Sequence, residues 1–298
     1  MRKIYEKVSI KSKYLNYLIR KSNAKKNDSN IENTKKFLKK YEKIKKNCKV
    51  YEKYLNKENY KDVELFSYNG TMEKNTGKIL LYIHGGSFAE EAIGFQIKFA
   101  KKIAKKTNST LIVPRYKLIP EGNYKLMYQK IEKLYKKIIK NCETINFLGD
   151  SSGGGFILGL SMKLRNKNEV LPKNILMLSP WIDLEMNNQE LYEADKKDPM
   201  GGVDGNRYCG KLWANGTDVK NYLISPINGD FDNLPKITLA TGEYDVLKPD
   251  IDKLDKKLTE KNIDHNYILY MKQGHDFGCF PSKEGIELCN DFINIINE

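Results

Sequence analysis

Gly149-Asp150-Ser151-Ser152-Gly153-Gly154-Gly155 is the stretch that decides how this chain folds. Upstream of it, Glu143-Thr144-Ile145-Asn146-Phe147-Leu148 predicts a short buried strand. Downstream, residues 156–164 carry apolar side chains at helical spacing. A serine on such a strand-to-helix turn has the geometry of a nucleophile elbow. There the residues two before and two after the serine crowd each other and must be small. Centring on Ser151 puts Gly149 and Gly153 at those positions, whereas centring on Ser152 puts Asp150 at the first of them. Ser151 is therefore the candidate nucleophile.

A second element supports the first. His84-Gly85-Gly86-Ser87-Phe88 follows the apolar run Lys78-Ile79-Leu80-Leu81-Tyr82-Ile83. An attacked acyl carbon turns tetrahedral and its oxygen becomes negative, so the site needs main-chain N–H donors aimed at that oxygen. Losing one such donor costs roughly 10²- to 10³-fold in rate. A glycine loop combined with the N–H of the residue after the nucleophile is the oxyanion hole of the α/β-hydrolase fold. Here the donors would be Gly86 with Gly85 or Ser87, together with Ser152.

The chain has three histidines, His84, His265 and His275. His84 belongs to the glycine loop. His265 precedes the strand-like run Asn266-Tyr267-Ile268-Leu269-Tyr270-Met271, at the sheet end opposite the elbow, and reads as a solvated turn residue. His275 follows that strand, at the edge where Ser151 lies, and is the expected base. A carboxylate that holds its tautomer must fall between serine and histidine in chain order. Asp245 in Gly242-Glu243-Tyr244-Asp245 is preferred, with Glu243 and Asp250 as competitors in the same loop.

With these residues in hand, the chain resembles the hormone-sensitive-lipase-like family of α/β-hydrolases. The HGGSF stretch is similar to that family's HGGG box and GDSSGG to its GDSAGG elbow. PRYKLIPE, SPWIDL, SPINGDFDNLP, TGEYDVL and GHDF follow in the family's order between about residues 79 and 280. The resemblance implies a mostly parallel central sheet flanked by helices, with a helical cap. It also implies a serine carboxylesterase that hydrolyses small to medium acyl esters through an acyl-enzyme, without metal or cofactor. An amide or formamide hydrolase or a deacetylase would use the same residues, and a non-catalytic ligand-binding protein on this fold is the reading from a different class. Ser87 departs from the family's third glycine, which is tolerable if the backbone there needs no positive φ.

The rhythm of the remaining sequence agrees with an α/β protein. Strands are expected near 62–68, 78–83, 109–116, 143–148, 174–179, 236–241 and 266–271, and Met127, Ile131, Leu134 and Ile138 mark one core-facing helix stripe. Residues 62–298 are expected to form the catalytic domain. An insertion near 184–222 would act as part of the cap, with Met200, Tyr208 and Trp213 as candidate pocket lining. Five scattered cysteines without a C-x-x-C pair suggest neither disulfide framework nor metal site. No signal-like or membrane-spanning apolar run is present, and the expected location is cytoplasmic.

Charge is concentrated at one end. Residues 1–61 hold 20 Lys and Arg against 6 Asp and Glu, while the other 237 balance at 32 against 32. Within the basic part, Phe37, Tyr41, Ile44, Cys48, Tyr51 and Leu55 recur at alternating four and three, and Ile4, Val8, Leu15 and Ile19 form a shorter stripe. A basic helical cap segment is the first reading of residues 1–61. The second is an amphipathic surface for an anionic membrane. Nucleic acid is disfavoured because no binding module accompanies the charge. The last helix and the edge strands would serve a homodimer.

Overall fold

The computed structural model describes residues 1–298 apart from 23, 28, 43–48 and 62. In chain order its elements are β1 (Arg2–Tyr5), α1 (Ile10–Lys21), α2 (Ile31–Glu42), α3 (Lys49–Glu52), β2 (Asn56–Tyr60), β3 (Val63–Tyr68), β4 (Lys78–Ile83), α4 (Gly94–Lys106), β5 (Thr110–Arg115), α5 (Tyr124–Ile138), β6 (Thr144–Asp150), α6 (Ser151–Asn166), β7 (Asn174–Leu178), α7 (Glu190–Lys197), α8 (Val203–Ala214), β8 (Lys236–Gly242), α9 (Lys248–Glu260), β9 (His265–Tyr270) and α10 (Lys283–Asn297). The strands form one sheet in the order β1-β9-β8-β7-β6-β4-β5-β3-β2. Pairing is parallel from β1 through β5, and β3 and β2 add an antiparallel edge.

Alternation along the buried strands assigns side chains to two cores. Ile79, Leu81 and Ile83 of β4 face a layer containing Met127, Ile131 and Leu134 of α5, Phe156 and Leu160 of α6, and Leu254 of α9. Leu80 and Tyr82 face the other layer, which contains Ile97, Ala100 and Ile103 of α4 and Leu288 and Phe292 of α10. A parallel sheet covered on both faces makes its central strands apolar on both sides, as β4 and β7 are after their first residues, Lys78 and Asn174. The C-terminal ends of β4, β6, β8 and β9 therefore open onto one edge, where the loops carrying residues 84–88, 151, 245 and 275 meet.

The amino-terminal part departs from a purely helical segment. Arg2–Tyr5 is a strand parallel to β9, and Asn56–Tyr60 is the outermost strand on the other side. Both lie at sheet edges with half-exposed, polar-rich sequences, so neither carries the apolar alternation that marks a buried strand. The stripe from Phe37 to Leu55 is not one helix, since α2 ends at Glu42, α3 ends at Glu52 and Leu55 leads directly into β2. Ile44 and Cys48 lie outside the described residues. Among the described residues Cys142, Cys209, Cys279 and Cys289 form no disulfide. Among the described residues no helix is long and apolar enough to cross a membrane.

Leu81 sits fully buried at the centre of the sheet. Leu81→Ala is expected to lower unfolding stability by about 2–5 kcal/mol in urea titration. A change below about 1 kcal/mol would mean that the core around β4 repacks freely.

Candidate active site

Ser151 begins α6 immediately after β6 with φ +49°, a left-handed conformation that a serine adopts only when its surroundings enforce it. The neighbouring glycines explain the enforcement. A Cβ on Gly149 would lie 2.7 Å from the carbonyl carbon of Gly153, and one on Gly153 would collide with the Ile83 carbonyl at the end of β4. The turn is thus drawn tightly against the neighbouring strand, and the Ser151 side chain stands at the N-terminus of a long helix, whose dipole favours negative charge there.

The three residues singled out around the elbow form one hydrogen-bonded chain. His275 Nε2 is 3.0 Å from Ser151 Oγ, and His275 Nδ1 is 3.0 Å from Asp245 Oδ1. Asp245 is fully buried and also accepts hydrogen bonds from the Leu247 N–H and the Thr241 hydroxyl. The competing acids lie elsewhere: Glu243 accepts from the Lys272 N–H, and Asp250 accepts from the Asn188 amide. His265 is not a solvated turn residue. Its Nε2 meets Asp255 Oδ1 at 2.9 Å, and Arg2 of β1 pairs with the other oxygen of the same carboxylate at 2.8 Å.

The glycine loop has two parts with different duties. The Gly85 N–H donates to Asp150 Oδ2 at 3.1 Å, so it is already committed and does not serve as an oxyanion donor. Asp150 also accepts from Gln96 Nε2 and the Tyr82 hydroxyl, which fixes the elbow to the loop. Among the described residues the N–H groups of Gly86 and Ser87 have no protein acceptor. Ser152, in the first turn of α6, has an N–H without an intrahelical partner. Ser87 has φ +54° and Phe88 φ +58°, so the condition under which serine would replace glycine without strain does not hold. The Ser87 hydroxyl donates to Asn206 Oδ1 at 2.7 Å, and the Phe88 ring stacks on Trp213 at 4.0 Å. These contacts from α8 hold the strained loop.

His84 is buried and its ring stacks on Tyr116, with Nε2 3.0 Å from the Tyr51 hydroxyl. Burial lowers its pKa, leaving a neutral ring that braces the loop. The sequence assigned Tyr51 to a packing stripe; its hydroxyl in addition donates to Glu91 and accepts from the Ala92 N–H. In the 184–222 segment, Lys35 of α2 is set 5.4 Å over the Tyr208 ring, and Trp213 is buried.

Asp198 is the site residue that sequence reasoning missed. It lies in the same segment, where a run of mixed charge gave no sign of a buried role. Its Oδ2 accepts the Val246 N–H at 2.7 Å, and its Oδ1 accepts the Met200 N–H at 2.9 Å and the His275 N–H at 3.4 Å. One carboxylate therefore ties the segment to both the acid loop and the histidine loop. The Pro199 that follows it was the available signal, since Asp-Pro favours a turn. Asp198, Asp245 and His275 bring ligand atoms within 4.8 Å of one another, but the oxygens of Asp198 are taken up by N–H groups and Asp245 by the imidazole.

Electrostatics follow from this crowding. Burial, then the Asp245 charge, push Asp198 up to about 7. Burial works against the Asp245 carboxylate too, yet His275 outweighs it and leaves Asp245 below its usual value. For His275, burial disfavours the imidazolium, and the carboxyl groups of Asp276, Asp245 and Asp198 together overcome this and raise it well above 6.5. Burial pushes Asp276 itself well above the carboxylate range, with His275 opposing and Asp150 adding to the rise, and its Oδ2 lies 3.5 Å from His275 Nε2. Asp245, held below its usual value, is the anion at His275 Nδ1.

A family model described as the alpha/beta hydrolase fold matches residues 80–278. The chain belongs to the α/β-hydrolase fold family. Its relatives include vegetative-specific protein H5 of Dictyostelium discoideum, 27% identical over 82% of this chain and 80% of that protein. An esterase of Acinetobacter venetianus is 24% identical, with 68% of each chain covered. The fold is shared with a solved esterase of the bacterial hormone-sensitive lipase family at TM-score 0.77 and 18% identity, covering 98% of this chain and 97% of that one.

Asp198→Ala strips N–H groups in three loops of their acceptor, at a cost of about 1–3 kcal/mol for a buried unsatisfied group. A lower thermal midpoint together with a kcat reduced at least about tenfold is the expected outcome, measured by calorimetry and by hydrolysis of a chromogenic ester. Unchanged kcat in a folded variant would show that the tie is dispensable.

Proposed function

We propose that this α/β-hydrolase is a serine carboxylesterase acting on small to medium acyl esters. The observation that carries the reading is the chain Ser151 Oγ, His275 Nε2, His275 Nδ1, Asp245 Oδ1, each link 3.0 Å, set beside a glycine loop with uncommitted N–H groups. The Acinetobacter relative named as an esterase supports the ester as the bond attacked.

In the proposed reaction His275 takes the proton of Ser151 as Oγ attacks the ester carbonyl. The oxyanion receives the N–H groups of Gly86, Ser87 and Ser152. Collapse of the tetrahedral species expels the alcohol, which leaves with the proton from His275. Water, deprotonated by the same imidazole, then attacks the acyl-serine, and the acid departs as Oγ regains its proton. Asp245 keeps Nδ1 protonated and stabilises the imidazolium formed in each half.

Hydrolysis of p-nitrophenyl esters of increasing acyl length by the parent protein, with loss on the order of 10⁶-fold in kcat for Ser151→Ala, is the expected result. Activity surviving in the variant would exclude Ser151 as nucleophile, and no turnover of any ester would exclude the esterase reading.

The base works only when neutral, and its pKa is raised above 6.5, so kcat/KM is expected to rise with pH along a limb centred above that value. Asp245→Asn removes the facing anion. It should move the limb down and lower kcat by about 10⁴-fold. A limb at or below 6.5 in the parent would contradict the electrostatic account.

A further inference from the structure

α1 has two sides, of which only one packs on the rest of the protein. Its inner side, Ser12, Leu15, Asn16 and Ile19, borders a small cavity shared with His275. The outer stripe runs Ile10, Tyr14, Tyr17 and Leu18, at helical spacing, and these side chains are 85%, 60%, 54% and 42% exposed. The Ser9 N–H and hydroxyl bond the Glu284 carboxylate, which fixes the start of α1 beside the first turn of α10. Directly next to it a cavity of about 340 Å³ opens between α1, α4 and α10, with Phe95, Phe280 and Ile286 in its apolar wall and Lys11, Lys98 and Lys102 around it.

The charges on this face are uncompensated. Among the described residues Lys11, Lys13, Lys21, Lys98 and Lys102 form no ion pair. Lys98 instead lies over the rings of Tyr54 and Phe95, and Lys21 over Tyr17. Exposed aliphatic and tyrosine side chains beside unpaired ammonium groups match a bilayer interface, where apolar groups enter the acyl boundary and lysines meet anionic headgroups.

We infer that the outer face of α1, together with the groove between α1, α4 and α10, docks this protein onto an anionic lipid surface. The other side of α1 is a wall of the cavity at His275, so docking sets the proposed ester site one helix away from the bilayer. Binding itself does not require turnover, so the docking and esterase readings fail independently.

The test is co-sedimentation of the full chain with phosphatidylcholine vesicles, alone or with about 30 mol % phosphatidylglycerol. Binding to the anionic vesicles only, weakened by added salt, is expected. The triple variant Lys11→Gln, Lys98→Gln, Lys102→Gln should bind on the order of 10²-fold more weakly. The variant Ile10→Ser, Tyr14→Ser, Leu18→Ser should bind at least about tenfold more weakly. Thermal midpoints near that of the parent would show that both variants fold. No binding by the parent, or equal binding by parent and both variants, overturns the inference. So does a parent dimer in sedimentation velocity that the serine variant dissolves while no vesicle binding is seen, since the stripe would then seat a second copy.

Discussion

The close approach of the β6–α6 turn to the end of β4 is the constraint on which the site depends. Ser151 is left-handed because Gly149 and Gly153 let the turn close against the Ile83 carbonyl, and that closure places its Oγ at the sheet edge and at a helix N-terminus together. Any side chain at Gly153 would push α6 off β4. The same contact brings Asp150 within reach of the Gly85 N–H, so elbow and glycine loop are built as one unit.

A second layer of organisation comes from residues 184–222. Asn206 and Trp213 hold Ser87 and Phe88 of the glycine loop, and Asp198 holds the loops of Asp245 and His275. A segment with little role in the sheet thus touches the glycine loop and the loops of Asp245 and His275. The amino-terminal segment closes over it in turn. Lys25 forms an ion pair with Asp195, Lys35 covers Tyr208, and the Glu91 N–H donates to the Tyr41 hydroxyl. Pocket shape is therefore set jointly by parts of the chain that are far apart in sequence.

Crowded carboxyl groups give the site its electrostatic character. Asp198, Asp245 and Asp276 are all buried near one imidazole, and they cannot all be charged at modest cost. Asp198 and Asp276 are raised while His275 and hydrogen bonds hold Asp245 below its usual value, so the most readily ionised carboxyl of the three is the one at Nδ1. Burial of His84 works the other way and keeps that ring neutral, as a brace between Tyr51 and Tyr116.

The sequence by itself determined what short-range chemistry encodes. The glycines around Ser151 report a turn that excludes side chains, apolar runs report the central strands, and the order of serine, acid and histidine follows from where those strands end. What it did not encode were features made by partners distant along the chain. Edge strands such as Arg2–Tyr5 lack an apolar alternation because only one side of them is buried, so their sheet membership is decided by β9. Gly85 and Ser87 look alike as donors in sequence. Only the fold shows that Asp150 takes the N–H of the first and that the second sits at positive φ, held by Asn206. Asp198 reads as one more acid in a charged run, and the tertiary structure made it a buried link because a carboxylate removed from water must be hydrogen-bonded, which loops some 50 and 80 residues away do together with the Met200 N–H.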